Sequence, residues 1–350
     1  MQWKVGVAGA AFLGVIGVAG VASVAGHGPD ARRAAWQAEY RPPATIPFPS
    51  ENAYTPAKAE LGRRLFFDPI LSGDRDRSCG TCHLPDLAWG DGRARAASRG
   101  PGAMDLRTPT LLNVAWQDGP LGWDGKFGTL EAVAAMPITA AGNMNLPIPQ
   151  ALDRLAADPG YAEAFAAAFT DPAITRDRLE AALATFQRTI VSGTGPFDRW
   201  IAGDETAIPE TAKRGFDLFN GRAGCAGCHS GWSFTDNSFH DIGVGRGGDL
   251  GRGRILRSSV ALRHAFKTPT LRDAARRAPY MHDGSVPTLE AVIDLYDRGG
   301  IDRPSRSRLI RPLHLKAAER ADLLAFLQTL SATADRDVTT AVFSPAAPTP

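Results

Sequence analysis

Hydrophobic positions along the chain recur in a pattern that is used twice. Ala59 to Phe67 carries Leu61, Leu65 and Phe66 at helical spacing, and Ala212 to Phe219 carries Phe216 and Phe219 in the same way. Each run predicts an amphipathic helix closed by a Gly-containing turn ahead of a cysteine pair. Further on, Arg107-Thr-Pro-Thr-Leu-Leu-Asn113 matches Lys267-Thr-Pro-Thr-Leu-Arg-Asp273. Trp123-Asp-Gly125 followed by Thr129-Leu-Glu-Ala-Val133 matches His282-Asp-Gly284 followed by Thr288-Leu-Glu-Ala-Val292. Thr129 and Thr288 read as N-caps of helices. Between the copies, residues 149–191 predict Ala-, Leu- and Phe-rich helices, broken at Asp158-Pro-Gly160 and Asp171-Pro172. Leu315 to Leu330 predicts a closing amphipathic helix, and strand signals are few.

The order is therefore a duplication, and the fold class is mainly α. The expected domains are residues 31–195 and 196–332, parted in the stretch from Ser192-Gly-Thr-Gly-Pro196 to Ile208-Pro209, where turn-forming residues gather. Residues 333–350 are expected to be a disordered tail.

Composition bounds the function loosely. With 44% hydrophobic and 22% charged residues, the 350-residue chain has room for two globular domains. A net charge of +2, with no block of like charge, gives no footprint for a nucleic-acid partner. Residues 1–30 read as an export segment: Lys4 precedes an uncharged run from Val5 to Gly26, and Ser23-Val24-Ala25 offers small residues for cleavage. The segment is either a cleaved signal peptide or an N-terminal anchor of about 20 apolar residues. Both place the body of the protein outside the cytoplasm, in the periplasm, and only the anchor involves the membrane.

All four cysteines fall in two copies of C-x-x-C-H, Cys79-Gly-Thr-Cys82-His83 and Cys225-Ala-Gly-Cys228-His229. This is the attachment signature of c-type haem. Two thiols add to the vinyl groups on one porphyrin edge, and the next residue brings an imidazole to the iron. A four-cysteine zinc site or two redox disulfides would leave the histidine after each pair without a reason. Two covalently bound c-type haems follow, one in each cytochrome-c-like half. Arg107 and Lys267, opening the two Thr-Pro-Thr loops, are the candidate basic contacts to these cofactors.

Over residues 54–332 the chain resembles the bacterial dihaem cytochrome c peroxidase/MauG family. The matching stretches are Leu65-Phe-Phe-Asp-Pro-Ile-Leu-Ser72, both haem motifs, both Thr-Pro-Thr loops, Gly122-Trp-Asp-Gly125 and Pro279-Tyr-Met-His-Asp-Gly284. The resemblance implies a periplasmic enzyme in which one haem meets hydrogen peroxide and the other stores or relays electrons. It also implies that Trp123 lies between the haems as a route for electrons or holes. Trp89 and Trp232 read as pocket packing.

The axial positions point within that family. His83 and His229 are the proximal ligands by their motif, and no histidine lies between them. Family peroxidases hold the peroxide-facing side of the first haem with a histidine from the loop after its motif. Here that loop, Leu84 to Leu106, offers only Met104 as a side-chain alternative, so the first haem is read with an open sixth position. Eight residues after Thr129 stands Pro137, and eight after Thr288 stands Tyr296. Proline cannot ligate iron through its side chain, whereas a phenolate can and favours oxidised iron. The family has tyrosine at this second position in MauG and methionine in the peroxidases, so Tyr296 is the expected ligand of the second haem. Met281 is the rival ligand, and His282 is expected to make a structural hydrogen bond.

Two departures qualify the reading. Where the family carries Glu-Met, this chain has Asn143-Met144, and an amide cannot carry a peroxide proton. Turnover is therefore expected to be slow unless Asp124 or Glu131 substitutes. Arg107 stands where the family's inter-haem calcium takes an asparagine, and a guanidinium repels calcium, so calcium is not expected. The leading function is a dihaem peroxidase-like oxidoreductase of the MauG type. It would react with hydrogen peroxide at the first haem and oxidise a redox partner through the second. The partner would be a small cytochrome c, a cupredoxin or a protein substrate. The alternative is a dihaem electron-transfer cytochrome with little peroxidase activity. Peroxide reactivity of the resting ferric protein separates the two.

Overall fold

The computed structural model describes residues 29–332 other than Ala103. The export segment, save its last two residues, and the expected disordered tail lie outside the described residues. The first half contains α2 (Pro56–Phe67), α3 (Leu130–Ala134), α4 (Met136–Thr139), α5 (Ile148–Ala156), α6 (Pro159–Ala168) and α7 (Arg176–Arg188). The second contains α8 (Pro196–Ile201), α9 (Glu210–Asn220), α10 (Leu289–Arg298) and α11 (Ala317–Gln328). Phe239–His240 (β1) and Phe266–Lys267 (β2) pair antiparallel, with Phe239 opposite Lys267.

Local chemistry sets the helix ends. The hydroxyls of Thr55, Thr129, Thr175 and Thr288 accept from the N–H three residues on, in α2, α3, α7 and α10. Proline enters α2, α4, α5, α6 and α8 in their first turns, where no N–H is needed. α10 stops at Gly299, whose φ of 79° few other residues adopt.

The duplication extends to the helix packing. In each half the helix before the cysteine motif crosses the last helix at a glycine. A Cβ on Gly62 of α2 would lie 2.0 Å from the Ala182 carbonyl oxygen of α7, and one on Gly215 of α9 would lie 2.0 Å from that of Asp322 of α11. Only a missing side chain lets the backbones come so close. Around these crossings stand two apolar cores. Leu61, Leu65, Phe66, Trp89, Leu183 and Phe186 belong to the first, and Phe197, Phe216, Phe219, Phe234, Leu323 and Phe326 to the second. Trp89 is fully buried against Phe66, Phe67 and Phe186, as packing requires.

One segment departs from the sequence expectation. By number, α1 (Pro29–Glu39) and Tyr40 fall in the first half, but they pack on the second. Trp36 meets Phe216 edge-on at 4.9 Å between centroids, and Tyr40 is enclosed by Phe197, Phe216 and Phe234. The Tyr40 hydroxyl donates to Asn220 at 2.8 Å. The second core leaves an aromatic gap that the preceding segment fills, a tertiary fact that local periodicity does not carry.

The halves meet through a reciprocal exchange. The Arg107 N–H donates to the His282 carbonyl at 2.9 Å, and the Lys267 N–H donates to the Trp123 carbonyl at 2.8 Å. These residues are equivalent in the duplication, so each half lays its x-Asp-Gly turn against the other's Thr-Pro-Thr loop. The close approach needs glycine at both turns: a Cβ on Gly284 would meet the Ala94 backbone at 2.3 Å, and one on Gly125 would meet the Phe239 ring at 2.4 Å.

Candidate functional site

The two cysteine motifs sit in single 3₁₀ turns, Cys79–Thr81 and Cys225–Gly227, that follow α2 and α9. All four thiols are unpaired and half-buried.

Each motif histidine is oriented by the chain beyond it. His83 Nδ1 lies 3.0 Å from the Trp89 carbonyl, and His229 Nδ1 lies 2.8 Å from that of Phe234. Trp89 and Phe234 hold φ of 61° and 52°, left-handed values uncommon for aromatic residues. The backbone thus turns out of its way to deliver these two carbonyls. Burial holds both imidazoles below the usual histidine range, hence neutral. A neutral ring with Nδ1–H donated to a carbonyl presents its Nε2 lone pair to a metal. The sequence names the histidines but not their orienting carbonyls. The only signal for those is a buried aromatic, six residues on in the first half and five in the second.

A cleft opens at the second motif, with an empty volume of about 1780 Å³ including its mouth. Cys225, Cys228 and His229 line it together with Tyr296, Met281 and Trp123. Phe219, Leu289, Ile293 and Leu323 make it largely apolar. Arg107, Arg277 and Lys267 also line it, and Arg107 Nε is buried without a partner. An apolar slot with cationic groups in its wall suits haem, a flat apolar ring bearing carboxylates. At the first motif the Trp89 indole N–H is likewise buried without a partner, a donor to spare beside His83.

Tyr296 lies in the last turn of α10, and burial, with the two cysteines beside it, raises its phenol above the usual range. Pro137, eight residues after the equivalent N-cap, breaks the matching helix. α3 ends at Ala134 and a short α4 begins at Met136, because proline lacks an N–H and its ring crowds the preceding turn. The chain beyond α4 folds back, with the Met144 N–H donating to the Pro137 carbonyl at 3.1 Å. This sets half-buried Asn143 next to Pro137. Met144 is buried in the first core. Arg99 and Met104 lie over this loop: Arg99 N–H donates to the Gly142 carbonyl at 2.8 Å, and Met104 Sδ lies 3.5 Å from where a Gly142 Cβ would be.

Glu131 does not stand free to replace a missing acid. Arg188 binds both its oxygens, at 2.6 and 3.1 Å, and Asn52 donates at 2.8 Å. These partners hold its carboxyl below the usual range against the opposing effect of burial. The Asp124 carboxylate has no such partner among the described residues.

Trp123 is positioned from both halves. Its indole N–H donates to the Arg107 carbonyl at 3.1 Å, and its own carbonyl accepts from Lys267. The Arg107 guanidinium is buried and donates to the Arg277 carbonyl at 3.0 Å, tying the first Thr-Pro-Thr loop to the second half. Lys267 Nζ donates to the carbonyls of Asp118 and Asn237, each at 2.8 Å, and burial lowers it to about 8. His282 makes the structural hydrogen bond: its Nε2 is 2.6 Å from Asp249, and its ring stacks on Phe266 at 3.5 Å.

Comparisons with known proteins agree with this arrangement. The family model for the di-haem cytochrome c peroxidase matches residues 56–206, and that for cytochrome c matches residues 212–331. The chain is 53% identical to the methylamine utilization protein MauG of Methylorubrum extorquens, over 85% of each chain. It is 48% identical to the MauG of Methylophilus methylotrophus, over 85% of this chain and 90% of that one. Among solved structures, a MauG-like protein associated with microbial copper homeostasis superposes with a TM-score of 0.77 at 32% identity, covering 87% of this chain and 96% of that chain. The duplicated haem motifs, the paired cores and these identities place the chain in the dihaem cytochrome c peroxidase/MauG family, as a peroxidase-like oxidoreductase with two covalently bound c-type haems.

Proposed function

We propose that this chain is a MauG-type enzyme that uses hydrogen peroxide at its first haem and draws electrons from a redox partner through its second. Cys79 and Cys82 hold the first haem and Cys225 and Cys228 the second, with His83 and His229 as proximal ligands. The asymmetry between Tyr296 and Pro137 carries the reading. A tyrosine faces the cleft that His229 also lines, whereas a proline stands at the equivalent place in the first half. Tyr296 would then hold the second haem together with His229, while Pro137 offers the first haem no ligating side chain. The haems supply the redox chemistry. The chain orients the imidazoles through Trp89 and Phe234, and offers Arg107 and Arg277 to haem carboxylates.

Asn143, beside Pro137, can donate a hydrogen bond to peroxide but cannot carry its proton. With Glu131 sequestered by Arg188, peroxide chemistry is slow unless the Asp124 carboxylate carries the proton. The Arg107 guanidinium, already bonded to the Arg277 carbonyl, takes the place of an inter-haem calcium ion. Residues 1–30 direct export to the periplasm; among the described residues no helix is long and apolar enough to cross a membrane. Two relatives are methylamine utilization proteins by name, and the same service is proposed here.

The test is absorbance and EPR spectroscopy of the purified, never-reduced holoprotein before and after one equivalent of peroxide. A mixed high-spin and low-spin resting state that changes rapidly with peroxide supports the assignment. Two low-spin, unresponsive haems would refute the open first site.

A further inference from the structure

The segment Leu250–Ala265 forms a closed loop on the second half. His264 N–H donates to the Leu250 carbonyl and Arg252 N–H to that of Ala265, both at 2.8 Å. Inside the loop the turns Arg252–Arg254 and Val260–Leu262 pack together, with Gly253 against Arg263: a Cβ there would be 3.0 Å from the Arg263 Cα. The base of the loop faces the redox centre. His264 lines the second-haem cleft. The Arg252 guanidinium donates to the carbonyls of Asp124 and Gly125, clamping the turn that carries Trp123.

The other side of the loop faces solvent with an unusual composition. Ile255, Leu256 and Val260 are 42, 43 and 52% exposed, three of the seven large apolar side chains exposed among the described residues. Arg254, Arg257 and Arg263 are exposed with them. The loop holds four arginines and no acidic residue, a charge of +4 against +2 for the whole chain. Of these, Arg254 forms long ion pairs with Asp249 at 3.7 Å and Asp105 at 3.8 Å, while Arg257 and Arg263 form none among the described residues. Scattered apolar residues on a surface need no explanation, but three exposed apolar side chains on one short loop that also carries four arginines have the make-up of an interface.

We propose that the solvent face of Leu250–Ala265 is the docking surface for an acidic protein partner, which seats an apolar contact on Ile255, Leu256 and Val260 above the Trp123 turn. The inference rests on the peroxidase reading and names its partner class. Reducing one peroxide to two waters takes two protons and two electrons, and the docked partner supplies the electrons in two one-electron oxidations. The loop brings the partner over the inter-haem tryptophan, while the arginines steer its approach.

The experiment follows peroxide-driven oxidation by the full-length holoprotein of three donors: reduced plastocyanin (acidic), reduced mitochondrial-type cytochrome c (basic) and hydroquinone (neutral). The wild type is expected to prefer plastocyanin, with a rate that falls steeply as salt rises. Arg254→Glu/Arg257→Glu should raise the KM for plastocyanin about tenfold or more at low salt. It should flatten the salt dependence and leave hydroquinone oxidation unchanged. Ile255→Ser/Leu256→Ser should raise the same KM while keeping the salt slope. Equal use of both proteins by the wild type, or an unchanged plastocyanin KM in both variants, overturns the proposal. So does sedimentation showing a dimer that the charge reversal dissociates. Failure to oxidise even hydroquinone refutes the peroxidase reading instead. Docking is then read by calorimetry of oxidised plastocyanin, where binding lost in the arginine variant supports the surface and no wild-type binding overturns it.

Discussion

The glycine crossings allow a quantitative test of the duplication. Replacing Gly62 with alanine puts a methyl 2.0 Å from the Ala182 carbonyl oxygen, 2.7 Å from its carbon and 2.8 Å from Phe186 Cβ. Gly215→Ala meets Asp322 and Phe326 at 2.0, 2.6 and 2.8 Å. Because real Cβ contacts essentially never fall under 3.0 Å, each helix pair has to part by about 1 Å. The obstacle is backbone, so no side chain can swing away. Overpacking of this kind costs about 1–3 kcal/mol. Parting the helices also weakens the dispersion contacts of the surrounding core, such as Leu183 and Phe186 on α7 or Leu323 and Phe326 on α11. Alanine returns about 1 kcal/mol through its better helix propensity. A net loss of roughly 1 kcal/mol lowers the melting temperature by about 2–4 °C for domains of this size. The measurement is thermal melting of each holoprotein variant followed by circular dichroism. Gly100→Ala serves as control, since nothing lies within 4 Å of the new methyl. Melting within 1 °C of the wild type, or an increase, would show that the close approach is not tight and would remove the packing basis for the paired crossings.

Three further outcomes are expected. Tyr296→Phe keeps the buried ring but removes the only oxygen it offers, so the EPR signal of the low-spin haem should be replaced by another form; an unchanged spectrum would exclude ligation by Tyr296. Asn143→Glu supplies a proton-carrying group beside Pro137 and should speed the reaction with peroxide about 10²-fold or more in stopped-flow absorbance; an unchanged rate would place the acid–base step elsewhere. His240 is held up to about 10 by its hydrogen bond to Asp236, with Cys228 a smaller cause that thioether formation alters. A histidine whose folded value is raised contributes stability that is complete below its unfolded value of about 6.5 and is lost as pH climbs through the folded one. Chemical denaturation of the holoprotein should therefore show stability falling from about pH 7 toward pH 10, and Asp236→Asn should flatten that slope; equal slopes would rule out the pair as its source.

Much of the site can be read from the sequence because its parts are local. The two C-x-x-C-H motifs specify haem attachment through spacing alone, and the Thr129 and Thr288 caps need only three residues each. The lack of histidine between His83 and His229 and the Pro137/Tyr296 contrast also come from counting along one chain. Other features join residues that no local period relates. Trp36 and Tyr40 settle on a core built more than 150 residues later, because that core leaves a gap lined by Phe197, Phe216 and Phe234. Glu131 reads as a spare acid until Arg188 and Asn52 are found around it.

The sequence by itself determined the cofactor class, the duplication and the contrast between Pro137 and Tyr296, since covalent attachment and helix capping depend on neighbours a few residues apart. Only the tertiary structure decided how the halves exchange their x-Asp-Gly turns, how Arg107 and Lys267 frame Trp123, and which carbonyls orient His83 and His229. Those outcomes depend on backbone groups that need partners once buried, and the partner is chosen by which surfaces meet in space.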